Sequence, residues 1–258
     1  QNLQQLSTMS SFTILFTSWL CIVYSLKELP SFMTLHAPYT PFNDDSTYSL
    51  NVSVIPNLAR NAANFGVNTV WVGGSMGQFD TMTVSERNSL AKAWVDAKKE
   101  YNLDFYIIFN VGTTVQSEAI AMAKYANSIG VDAIAAVPPY YEQASASDLT
   151  ALFNFFNPII AASDNLPFFY YHIPGMTHYN PNIYQFITQA IIDGKMPQFR
   201  GIKYVDASDA MDWFESCTTY SFTESDNDTV AVTNKLAMLY APEPKLQCFA
   251  NCMGKGTV

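Results

Sequence analysis

One lysine in this chain stands apart from the other cations. Lys203 lies in FRGIKYVD, inside an apolar run that ends in an acid. An ammonium held in dry surroundings is desolvated, which lowers its pKa and makes the amine nucleophilic toward carbonyls. The chemistry this permits is a Schiff base with a keto acid, whose imine nitrogen then serves as the electron sink for making or breaking the adjacent C–C bond. Such a reaction needs a proton shuttle near the imine. Tyr171, within FFYYHIP, is the candidate, because a phenol can serve once hydrogen bonds and a nearby cation tune it. A substrate carboxylate needs hydroxyls and free N–H donors. The Gly-rich stretch GGSMG offers both, through Ser75 and the backbone amides of Met76 and Gly77.

These residues act together only if the fold brings them to one place. From residue 32 onward the chain repeats a short apolar run, a turn with Gly or Pro, and an amphipathic stretch. Strands are expected at 32–36, 69–72, 105–111, 133–137, 168–171, 201–204 and 237–240. Helices are expected near 51–65, 84–101, 115–129, 147–163, 181–192, 208–216 and 243–253. Several of the strand runs are continuously apolar, as a sheet covered on both faces requires. Thr83-x-x-Glu86 reads as a capping box opening the second helix, and Gly66 and Gly130 fall where helices should end. Repeated βα units predict an α/β fold with a parallel sheet, and their number favours a (β/α)8 barrel. In such a barrel the active site forms at the C-terminal ends of the strands. That rule gathers residues 38–42, 73–78, 112–114, 138–141, 171–177 and 203–206, with four tyrosines (Tyr140, Tyr141, Tyr171 and Tyr204) and Lys203 among them.

Composition narrows the partners. The 258 residues carry 13 Lys+Arg against 22 Asp+Glu, a net charge of −9, which argues against nucleic acid as a partner. The hydrophobic content of 49% against 14% charged residues allows a large core. The four cysteines are too few for a disulfide framework, and none forms a C-x-x-C pair. Cys248 and Cys252 stand four apart with no histidine nearby, so no metal is expected. The chain opens on Gln1 and carries an apolar run at 12–24 that is too short to span a bilayer of about 20 helical residues. No membrane association is therefore expected. Residues 1–30 are expected to be a leader or non-domain segment, with the barrel domain over 31–258.

APYTPF (37–42), GGSMGQ and TVSER (73–78 and 83–87), VGTT (111–114), IAAVPPYY (134–141), YYHIPGMT (170–177) and GIKYVD (201–206) together resemble the dihydrodipicolinate synthase / N-acetylneuraminate lyase family of pyruvate-dependent class I aldolases. The resemblance covers roughly residues 32–216. It implies a TIM barrel, with Lys203 as the Schiff-base lysine, Tyr171 as the catalytic tyrosine and Ser75 as the hydroxyl linking Tyr171 to Tyr141, the latter donated across a subunit interface. Ser75, Met76, Gly77, Thr177 and Glu243 are the expected substrate contacts. YHIP, GIKYVD and TVSER are more similar to the sialic acid lyase branch, so the implied reaction cleaves N-acetylneuraminate to N-acetylmannosamine and pyruvate. The alternatives are an aldolase or hydro-lyase acting on another 2-keto acid, or a non-catalytic homologue.

The resemblance further implies a homo-oligomer, a tetramer, acting in the cytoplasm without metal or organic cofactor. Were residues 9–26 a signal peptide, the protein would instead be secreted. Three positions depart from the family pattern. Met76 replaces the second loop hydroxyl, Gln78 replaces the loop glutamate, and YAPEPK (240–245) retains Glu243 as its one acid. MGKGTV (253–258) resembles the turn into an eighth strand, so the barrel is expected to be truncated there.

Overall fold

The computed structural model describes residues 33–140, 149–205 and 237–240. Seven parallel strands run in sequence order across one sheet: β1 (Leu35–His36), β2 (Thr69–Val72), β3 (Tyr106–Asn110), β4 (Ala133–Ala136), β5 (Phe168–His172), β6 (Phe199–Tyr204) and β7 (Ala237–Tyr240). Between them lie α1 (Ile55–Asn64), α2 (Val84–Glu100), α3 (Gln116–Ile129), α4 (Leu149–Ala162), the short α5 (Pro174–Thr177) and α6 (Ile183–Ile187). Strand order equal to chain order, with helical crossovers, is the arrangement of a (β/α)8 barrel carried through its seventh strand.

The seven expected strands are all present, most of them shifted at one end by one to three residues. The expected helix over 181–192 divides, because α6 passes directly into a wider π turn at Thr188–Ile192. The expected helices near 208–216 and 243–253 lie outside the described residues. The pattern of apolar residues gave no sign of the four-residue helix after β5. Its signal is Pro174 in the first turn, where a missing N–H costs nothing.

Local chemistry fixes the element ends. Thr83 caps α2, its hydroxyl accepting from the Glu86 amide while the Glu86 carboxylate accepts from the Thr83 amide. α3 ends on Gly130 at φ +85°, the left-handed conformation that glycine adopts without strain.

Alternation along the strands separates two apolar layers. Val70, Val72, Ile107, Phe109, Ile134, Phe168, Tyr170 and Ile202 face the helices. Trp71, Tyr106, Ile108, Ala133, Ala135, Phe169 and Tyr171 face the barrel interior. At the end of the sheet away from the strand C-termini, the Asp132 carboxylate accepts from the Ile107 amide and from Lys98 of α2, each at 2.8 Å.

The pairing of β5 with β6 is irregular at one point. It runs as Phe168↔Phe199 and then Phe169↔Gly201, so Arg200 is an extra residue on β6. The bulge advances the register by one, and because side chains alternate with period two it exchanges which β6 residues oppose which on β5. Beyond it Tyr171 pairs with Lys203. Without it Tyr171 would stand opposite Ile202, which faces the helices.

Candidate active site

Lys203 enters the barrel interior near the C-terminal end of β6 and is 3% exposed. Its ammonium donates to the Tyr171 phenol oxygen at 3.3 Å. It also lies 4.4 Å from the centre of the Tyr171 ring and 4.8 Å from that of Trp71. The two rings meet edge to face at 5.2 Å. Burial pulls the lysine pKa down from 10.5 to about 8.

The Tyr171 oxygen has a second partner, the Ser75 hydroxyl at 2.8 Å. Burial pushes the Tyr171 pKa up, and hydrogen bonds from the side chain and backbone of Ser75 pull part of that back. Lys203, Tyr171 and Ser75 thus form one connected line of amine, phenol and alcohol, drawn from β6, β5 and the loop after β2.

The loop that carries Ser75 is built to come close. β2 is followed by Gly73 at φ +70°, which turns the chain sharply. A Cβ on Gly74 would stand 3.0 Å from Cδ1 of Trp71 and 3.6 Å from Lys203 Nζ, so a larger residue there would press on the indole beside the amine. The Gly77 amide donates to the Gly74 carbonyl at 3.0 Å, closing a turn, and the Thr40 hydroxyl donates to the Gly77 carbonyl at 2.6 Å.

Behind the loop stands a network that residue types and spacing did not single out. The buried Arg87 of α2 donates through its two terminal nitrogens to the carbonyls of Gly112 and Asn110. Asn110 in turn donates to the Gly73 carbonyl at 2.7 Å and accepts from the Gly112 amide at 3.1 Å. The loops after β2 and β3 are therefore tied to one guanidinium. Burial lowers the Arg87 pKa to about 10. The spacing showed Arg87 only as a member of a helix-opening motif, because inward orientation at a helix start depends on how the helix packs.

The remaining expected positions divide. Met76 is 47% exposed on the loop. The Thr177 hydroxyl is buried and donates to the carbonyl of Ile173, the residue that opens its own short helix, at 3.1 Å. Tyr140 is half-buried against Phe79, and burial pushes its pKa up. Tyr141 and Glu243 lie outside the described residues. Among the described residues, no cluster of three or more His, Cys, Asp or Glu side chains is placed to hold a metal ion, and no helix is long and apolar enough to cross a membrane.

Comparison with known proteins adds three findings. A family profile described as the dihydrodipicolinate synthetase family matches residues 32–220. N-acetylneuraminate lyase of Homo sapiens is 35% identical over 178 residues, and that of Pongo abelii is 33% identical over 178; each match covers 69% of this chain and 53% of the relative. The chain thus spans about half the length of these curated relatives. The solved structure of Proteus mirabilis N-acetylneuraminate lyase superposes with a TM-score of 0.71 at 20% identity, covering 86% of this chain and 68% of that one. A dihydrodipicolinate synthase from Aquifex aeolicus gives 0.67 at 17% identity, over 86% and 66%. At these identities the structural likenesses speak for the fold.

Proposed function

The chain belongs to the dihydrodipicolinate synthetase family, and from that premise we propose that it is a class I, Schiff-base pyruvate lyase that cleaves N-acetylneuraminate to N-acetylmannosamine and pyruvate. The observation that carries the reading is the connected line Lys203–Tyr171–Ser75, with separations of 3.3 Å and 2.8 Å.

In this reading the neutral Lys203 amine adds to C2 of the open-chain keto acid. The resulting carbinolamine loses its C2 oxygen as water, leaving an imine. Tyr171 accepts the proton of the C4 hydroxyl, C4 becomes a carbonyl, and the C3–C4 bond breaks. Its electron pair moves through C2 to the imine nitrogen, so N-acetylmannosamine leaves and an enamine remains. Protonation at C3 and addition of water at C2 return pyruvate and the free amine. Ser75 holds the phenol oxygen and passes its proton onward, in the family pattern to Tyr141 of a second copy in a homotetramer. The imine nitrogen is itself the electron sink, so the scheme calls for no metal or organic cofactor. A cytoplasmic place of action belongs to the same reading.

YHIP, GIKYVD and TVSER support the choice of substrate, as do relatives named N-acetylneuraminate lyase. One observation favours a second reading, an aldolase acting on another 2-keto acid. Met76 stands where the family carries a hydroxyl, and an exposed thioether alters how the loop meets a substrate. Incubation with pyruvate and borohydride, followed by mass spectrometry, tests the chemistry. A reduced adduct is expected on Lys203 and is expected to vanish in Lys203→Ala. Absence of any adduct in the wild-type protein would overturn both enzyme readings. Release of pyruvate from N-acetylneuraminate separates the first from the second.

A further inference from the structure

Trp71 forms one wall beside the amine, and its indole N–H is the unexplained donor of the site. The residue is 0% exposed, and Nε1 is buried without a hydrogen-bond partner among the described residues. Buried indole N–H groups normally find an acceptor, because leaving one unmade is costly. The position of this donor is telling. Nε1 lies 3.3 Å, and Lys203 Nζ 3.6 Å, from the one point where a Cβ on Gly74 would stand. The donor and the nucleophile therefore border the same spot above the Gly74 backbone, with the face of the indole beneath the ammonium and its N–H edge turned toward the loop.

A 2-keto acid joined to Lys203 through C2 carries its carboxylate on the next carbon. That charge enters a volume where the lysine is 3% exposed, and it loses the water that solvated it. It needs donors from the protein. The loop has few uncommitted ones. The side chain and backbone of Ser75 both bond Tyr171 and the Gly77 amide closes the turn to Gly74, which leaves the Met76 amide as the loop's donor, while the Met76 side chain supplies none.

We propose that the Trp71 indole N–H binds the carboxylate of the keto acid on Lys203, making Trp71 a specificity-determining residue that selects a 2-keto acid over a neutral ketone. The inference rests on the Schiff-base reading. It assigns to β2 a donor beside the Met76 amide, where the Met76 side chain offers none.

The test compares borohydride trapping on Lys203 by pyruvate and by hydroxyacetone, a methyl ketone without a carboxylate, in the full chain. Trp71→Phe keeps an aromatic face for the ammonium and removes the N–H. The pyruvate concentration giving half-maximal trapping is expected to rise about tenfold or more, as for a lost hydrogen bond to a charged group, while hydroxyacetone trapping stays within about twofold of wild type. Because phenylalanine is smaller, the comparison is repeated with 3-benzothienylalanine at position 71, which keeps the bicyclic shape and replaces N–H with sulfur. The same selective loss is expected. If neither variant separates the two ketones, the proposal is overturned. If the wild-type protein traps neither ketone, it is the Schiff-base reading that has failed.

Discussion

Desolvation sets the working range of Lys203. Its ordinary pKa of 10.5 falls to about 8 in the barrel, so the neutral amine becomes abundant near pH 8. The rate of imine formation with pyruvate is expected to rise with pH and level off just above 8, as measured by trapping rate across a pH series. A rise continuing to about 10.5 would show an amine that is not desolvated. The same shift has a sign for stability. Below pH 8 both folded and unfolded chains hold the proton, and the fold bears the cost of a buried cation. Between about 8 and 10.5 the unfolded chain binds more protons than the folded one, so the contribution of this group to stability rises with pH. Lys203, Tyr171 and Ser75 were legible in the sequence because each type is chemically distinctive and each ends a strand or comes just after one. Trp71 was not, because an indole in an apolar run reads as core until the neighbours of its nitrogen are known.

Arg87 shows how much of the site lies in the elements rather than in the reacting groups. Two carbonyls at the exit of β3 depend on it, and through Asn110 so does the exit of β2. Replacement by methionine keeps much of the aliphatic length and removes both donors. Each buried carbonyl left unpaired costs about 1–3 kcal/mol, and relief of the buried charge returns part of it. The expected net loss is about 2 kcal/mol in denaturant unfolding, with slower pyruvate trapping as Ser75 moves relative to Tyr171. Unchanged stability and trapping would show that the network positions nothing.

The capping box at Thr83 and the turn at Gly130 were readable because they depend on neighbours three or four residues away. The β5–β6 bulge and the Arg87 bonds were not, since each joins segments more than twenty residues apart. The bulge is the more consequential of the two, because the pairing of Tyr171 with Lys203 depends on it.

At the scale of the molecule, seven βα repeats read as a barrel because apolar strands and amphipathic helices alternate so regularly, and the parallel sheet runs in chain order as that alternation predicts. The net charge of −9 does not set the local field of the pocket, where the buried Lys203 stands beside Tyr171. Sheet order has a further consequence, for time. Each strand docks on the one made just before it, so the chain can assemble from its first repeat toward its last. If assembly follows that order, Ser75 and Tyr171 are in place before the strand that carries Lys203 arrives, and the proposed Schiff-base chemistry becomes available only at the sixth addition. In refolding from denaturant, the helical circular-dichroism signal is expected to recover ahead of the capacity to be trapped by pyruvate and borohydride. Simultaneous recovery would mean that the sheet closes as one unit. Recovery in that order would make trapping a clock for the late stage of assembly, since a half-made barrel would hold Tyr171 with no Lys203 beside it.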